Sequence, residues 1–128
     1  MNLKLVYLLI QLKNLSQIRK EFSIVKYYNI FNLILSLLYN EGYIQSYKLL
    51  KKEKTFYILI LFRNNYNNSL FDKLKIIFKK NKQYKINNYK LSNLQTKNLN
   101  LFLSTNLGIL SLTQCKKYKV GGKAFFVC

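Results

Sequence analysis

Apolar residues crowd positions 3–12 and then thin to Leu15 and Ile18 before the charges of Arg19 and Lys20. That decay predicts a helix over about residues 3–20 with its first half deeply buried. Residues 22–28 (FSIVKYY) are aromatic and β-branched, the composition of a short strand. Ile30, Leu33, Ile34, Leu37 and Leu38 recur at helical spacing, and Gly42 is placed to end that helix in a left-handed conformation. YIQSYKLL (43–50) and KTFYILILF (54–62) follow, joined by Lys51, Lys52 and Glu53. So brief a link predicts an antiparallel hairpin. The second run is apolar on both faces, as a central strand covered by helices would be. Residues 3–12, 30–38 and 56–62 are thus expected to supply much of the core.

RNNYNNS (63–69) is polar, asparagine-rich and without period, which predicts an exposed loop between a first lobe, 1–66, and a second, 67–128. Beyond it Leu70, Phe71, Leu74, Ile77 and Phe78 fit a helical stripe, although Ile76–Phe78 could equally enter a strand. A strand near 99–104, a short helix near 109–116 and a last strand, AFFV, complete the pattern. The expected class is α+β in two small lobes, the first α-β-α-β-β and the second mostly β with a short helix.

Charge changes this picture most. Twenty-two Lys and Arg stand against four acids, a formal charge of +18. A folded chain so basic repels itself and gains from an approaching polyanion, either nucleic acid or an anionic membrane. The abundant Lys, Asn, Ile, Tyr and Phe use AT-rich codons, while Ala124 is the one alanine and Pro, Trp and His are missing. An AT-rich organelle or endosymbiont genome is the simple source. The N-terminal apolar run is far below the ~20 residues needed to cross a bilayer, so stable membrane insertion is not expected, and no transit peptide is evident.

Catalysis has few parts. Histidine, the usual general base, is absent, and Glu21, Glu41, Glu53 and Asp72 are widely separated along the chain. Cys115 and Cys128 are isolated and expected to be reduced thiols, with Cys115 buried. No enzyme, cofactor, metal site or small-molecule substrate is expected. Binding has many parts. Lys79, Lys80, Lys82, Lys85 and Lys90 interleave with Tyr84 and Tyr89, a pattern that neutralises phosphates and offers ring faces, or is simply a solvated loop. With Lys13, the first four are candidate phosphate contacts. The tail, STNLGILSLTQCKKYKVGG (104–122), sets short polar groups at Ser104, Thr105 and Asn106 beside bare backbone at Gly108, Gly121 and Gly122. Such groups suit the wide minor groove of RNA. They could instead cap a helix and turn a hairpin.

The tail resembles the C-terminal signature of small-subunit ribosomal protein eight, a family with a Ser-Thr-Ser loop, a glycine, two aliphatics, a basic position and a Gly-Gly-Glu turn. Ser104, Thr105, Gly108, Ile109, Leu110, Lys116, Gly121 and Gly122 fall in step. The N-terminal half agrees: Leu9, Lys13 and Asn14 match a Leu-Thr-Arg-Ile-Arg-Asn stretch, and Glu41, Gly42, Tyr43 and Ile44 stand where the family has Glu-Gly-Phe-Ile. Departures are Asn106 for serine, Cys115 for a small residue, Lys123 for glutamate, no Pro-Gly near 80–82, and Lys26-Tyr27-Tyr28-Asn29 for a Pro-Ser-Ser-Lys loop. The resemblance implies a structural protein that binds the central domain of small-subunit rRNA and contacts neighbouring small-subunit proteins. It implies an rRNA site of Ser104, Thr105, Asn106, Gly108, Gly121, Gly122 and Lys123, aided by Lys116, Lys117 and Lys119. With the AT-coded composition, the expected compartment is the mitochondrial matrix, with a plastid as the alternative. The rival function is a basic peripheral protein of an organelle membrane surface.

Overall fold

A computed structural model describes residues 3–65, 68–79, 81–93 and 99–128. The chain divides into two compact units, Met1–Asp72 and Lys73–Cys128, and its helices and antiparallel sheets make it α+β. Among the described residues no helix is long and apolar enough to cross a membrane.

In the first unit α1 (Leu3–Gln17) buries Leu5, Leu8, Leu9 and Leu12, the i, i+3, i+4, i+7 face of one helix. It ends three residues before the expected position because Arg19 adopts φ 59°. There Arg19 N–H donates to the Ser16 carbonyl and Lys20 N–H to Leu15, the paired bonds of a Schellman cap. After β1 (Phe22–Lys26), α2 (Phe31–Asn40) closes the same way around Gly42 at φ 81°, with Gly42 bonded back to Tyr39 and Tyr43 to Leu38. Its buried stripe is Phe31, Ile34, Leu35, Leu37 and Leu38. Leu33, expected in that stripe, is instead 55% exposed.

The hairpin of β2 (Ile44–Lys52) and β3 (Thr55–Phe62) turns at Glu53 and Lys54, with Glu53 at φ 54°. The sheet order β1-β3-β2 makes β3 central, as its apolar content predicts. Burial on both of its faces is not found: Ile58, Ile60 and Phe62 are buried, whereas Tyr57, Leu59 and Leu61 are only half-buried. The alternation shows one covered face within this unit. Residues 63–69, read as loop, carry a two-pair ladder between β4 (Asn64–Asn65) and β5 (Asn68–Ser69).

The expected helical stripe over 70–78 is corrected by the structure. Phe71 packs at 5.9 Å from the Tyr43 ring and 6.2 Å from Phe62 in the first unit. Residues 75 and 76 form β6 (Lys75–Ile76), paired with the last strand of the second. Residues 70–73 form turns and 75–76 a strand, so the segment does not run as one helix.

The second unit continues with β7 (Lys85–Ile86), α3 (Asn88–Leu91), β8 (Leu101–Thr105), β9 (Gly108–Ser111), α4 (Leu112–Tyr118) and β10 (Gly122–Val127). β10 pairs with β6, β7 and β8, and β8 with β9, all antiparallel. The short helix begins later than expected, since Ile109 and Leu110 belong to β9. Ser111 is its cap: its hydroxyl accepts from Gln114 N–H while Gln114 Oε1 accepts from Ser111 N–H, a capping box worth about 1 kcal/mol. A bulge at Phe125 separates the pairs Ala124–Leu103 and Phe126–Phe102, so consecutive Phe125 and Phe126 are both fully buried. Leu91, Leu101, Leu103, Leu112, Cys115 and Ala124 cluster as a core.

Candidate nucleic-acid interface

The β8–β9 hairpin turns through Asn106 and Leu107, both exposed. Its left-handed residue is Gly108, at φ 109°, a region costly for any side chain. Thr105 holds the tip together. Its hydroxyl donates to the Gly108 carbonyl at 2.8 Å and accepts from Leu107 N–H at 3.2 Å. The half-buried Thr105 therefore shapes the loop, and Asn106 is the polar side chain that the turn presents to solvent.

The glycine pair does not turn a hairpin; it opens β10 and lets backbone pack on backbone. A Cβ on Gly122 would collide with the Ser104 carbonyl oxygen and lie 2.9 Å from Thr105 Cγ2. One on Gly121 would meet the Ile86 carbonyl at 2.6 Å and Asn88 N at 2.9 Å. Bare backbone thus draws the start of β10 against the end of β8 on one side and the β7–α3 segment on the other.

Register then assembles residues distant in sequence. Lys123 lies opposite Ser104 on β8 and opposite Lys85 on β7. Paired residues of antiparallel strands share a face, so Ser104, Lys123 and Lys85 form one row across three strands, with both lysines exposed. Two like charges directly opposite each other are unfavourable in the isolated protein. Tyr84 is pinned beside this row by Ala124 N–H donating to its carbonyl at 2.8 Å, and Lys82 Nζ lies 5.8 Å from the Tyr84 ring centroid.

Lys116, Lys117 and Lys119 are exposed on α4 and its C-terminal end, where Lys119 at φ 54° takes the left-handed position of a third Schellman cap. Lys79 bridges to Lys82, where a Pro-Gly turn was missing. Lys80 lies outside the described residues. Lys13 is half-buried on α1 in the first unit and is not part of the row. The adjacency of Lys85 and Lys123 was not foreseen, because 38 positions separate them. The hairpin itself had a legible signal: Gly108 followed by a Ser-x-x-Gln capping box at Ser111.

Among the described residues no three His, Cys, Asp or Glu come together as a metal site. Cys115 and Cys128 are free and buried, and burial pushes the Cys115 thiol above its ordinary value of 9.0. The folded protein should therefore react slowly with iodoacetamide at Cys115 up to about pH 9, and rapidly once unfolded in urea. Because the unfolded thiol ionises first, the unfolded state binds fewer protons above that pH. The stability this site contributes is complete below 9.0 and declines as pH rises through the folded value. Rapid labelling of the native protein at pH 8 would contradict a buried thiol.

Residues 4–127 match the family described as Ribosomal protein S8. The chain belongs to that family. It is also 32% identical over 118 residues to the small ribosomal subunit protein uS8 of Carsonella ruddii (strain PV), covering 92% of this chain and 90% of that protein. S8-family membership gives the chain a structural role in the small ribosomal subunit, a non-enzymatic class. The match spans both units, so each of them belongs to the family's fold.

Proposed function

We propose that the second unit binds the central domain of small-subunit rRNA and supports subunit assembly, with neighbouring small-subunit proteins as further partners. The observation that carries this reading is the Ser104–Lys123–Lys85 row beside the β8–β9 tip. Its opposed lysines are relieved by phosphate, and Asn106 at the tip supplies a donor and an acceptor for base edges or 2′-hydroxyls. Family membership supports the partner, and the net charge of +18 supports its sign. Lys116, Lys117 and Lys119 extend the basic surface along α4.

The roles separate by experiment. Asn106→Ala should weaken binding to a central-domain rRNA fragment about tenfold with an unchanged salt slope, the scale of a lost base or ribose contact. Lys123→Gln should lower the slope of log affinity against log salt by about one. Filter binding over a salt series measures both, and equal affinity of the parent for an unrelated hairpin would overturn site-specific recognition. Binding to anionic vesicles without rRNA binding would instead favour the membrane-surface role. The compartment belongs to the same proposal: the AT-coded composition supports a mitochondrial ribosome, and mass spectrometry of mitochondrial small subunits tests it, a plastid being the other outcome.

A further inference from the structure

β1 lies at the edge of its sheet, in the order β1-β3-β2, and among the described residues no strand pairs with its other side. Phe62 N–H donates to the Glu21 carbonyl and Tyr27 N–H to the Phe56 carbonyl, each at 2.9 Å. The register runs from Phe22 opposite Leu61 to Lys26 opposite Tyr57, and bonded pairs alternate along an antiparallel ladder. Ser23 and Val25 therefore bond to β3, while Phe22, Ile24 and Lys26 turn their N–H and C=O groups to the open side. Such a row is a template for another strand. The usual safeguards are thin here: Phe22 and Ile24 are 53% and 52% exposed, and β1 carries one lysine, Lys26.

Side chains along this edge also lack cover. Ser23 is 5% exposed, and its hydroxyl has no hydrogen-bond partner among the described residues, a costly state for a buried polar group. At the Lys26 end a cleft of about 340 Å³ opens between β1 and α1. Lys4 Nζ covers the Tyr28 ring, 4.0 Å from its centroid, so Leu3, Tyr7, Val25 and Phe31 give the cleft its apolar wall.

We infer that β1 accepts an extended segment of a neighbouring small-subunit protein as a fourth strand of its sheet, a reading that rests on the ribosomal role proposed above. A peptide strand offers N–H and C=O groups at the spacing this edge needs, and RNA has no such row. Residues opposite each other in a ladder share a face. The segment should therefore set apolar side chains beside Phe22 and Ile24, a Ser or Thr beside Ser23, and an apolar group beside Val25 at the cleft. Glu21 and Lys26, both exposed, mark the two ends of the edge with opposite charges, which calls for a base and an acid at the matching ends of the segment. A second copy of the chain is a poor occupant, because each copy carries +18.

The test assembles the full chain, with p-benzoylphenylalanine at Phe22, into its small ribosomal subunit and irradiates it. The crosslink should map to one extended segment of one subunit protein. A synthetic peptide of that segment should bind the full chain. N-methylation of the alternate amides that face β1 should abolish this binding, and methylation of the others should not. Ile24→Pro removes an N–H that points away from β3, a change an edge strand tolerates. It should lower peptide affinity about tenfold and leave affinity for the rRNA fragment unchanged. Ile24→Lys, on an exposed side chain, repeats the test with the backbone intact. Crosslinks to rRNA, a crosslinked dimer of the free chain, or a peptide indifferent to N-methylation and to both variants would each overturn the inference. A parent that enters the subunit but crosslinks no protein from residue 22 refutes the edge alone; one that binds no rRNA and stays out of the subunit refutes the ribosomal reading beneath it.

Discussion

Phe102→Ala should destabilise the protein by about 3–5 kcal/mol, the range for emptying a fully buried phenylalanine site. Phe102 has no exposed surface, and its ring stacks on Phe126 with centroids 4.5 Å apart and planes at 12°. It sits on β8, between β9 and β10, so the vacancy opens in the middle of the sheet. Phe126 in turn meets Phe125 at 5.2 Å, and Phe125 meets Phe78 at 6.4 Å. The bulge at Phe125 fixes where these rings stand, which leaves them little freedom to collapse into the space. Urea denaturation monitored by circular dichroism measures the loss. Leu107→Ala, at the exposed hairpin tip, is the control and should change stability by less than about 0.5 kcal/mol. A Phe102→Ala protein within about 1 kcal/mol of the parent would mean that the stack does not hold the sheet.

That same strand shows what sequence can and cannot reveal. Leu101–Leu103 announces a buried strand by composition, and β2–β3 announces a hairpin by its brief charged link. Leu5, Leu8, Leu9 and Leu12 read as a helix face because both the spacing and the burial are local. Gly42 is legible for the same reason: one residue and one backbone angle explain the stop. Arg19 and Lys119 make the same cap with long side chains, at a cost in backbone strain that no composition rule anticipates. The 70–78 stripe misled because Phe71 and Ile77 keep helical spacing while their partners, Tyr43 and Phe62 for Phe71 and Phe125 of β10 for Ile77, lie elsewhere in the chain. Non-local pairing overrode local period.

The candidate site divides along the same line. Its residue types, short polar groups next to glycine and lysine, stand out in the tail itself. Its arrangement does not. Lys85 joins Lys123 only through the β7–β10 register, and the role of Thr105 as a clasp on Gly108 needs the turn in three dimensions. Lys123 was visible as a departure from the family's glutamate, but only the neighbouring lysine gives that departure a physical meaning: a doubled positive charge on one sheet face.

Gly122→Ala should weaken both fold and RNA binding, although it removes no charge and no hydrogen-bonding group. The new methyl would be driven into the Ser104 carbonyl oxygen and against Thr105 Cγ2. Main chain forms one side of that collision, so no rotamer change relieves it. Relief requires β10 to move off β8, which loosens the Lys123–Ser104 and Ala124–Leu103 pairs and spreads the lysine row. Overpacking of this kind costs about 1–3 kcal/mol. Gly108→Ala is the informative contrast. Nothing lies within 4 Å of its Cβ position, so its cost is backbone strain alone, of order 1 kcal/mol at φ 109°. If close backbone approach organises the site, then at matched folded fractions Gly122→Ala should bind the central-domain fragment several-fold more weakly than the parent. Its salt slope should fall as well, because Lys123 no longer stands in register with Ser104 and Lys85. Parent-like stability and slope in Gly122→Ala would show that β10 and β8 need not meet there, and the lysine row would lose its basis.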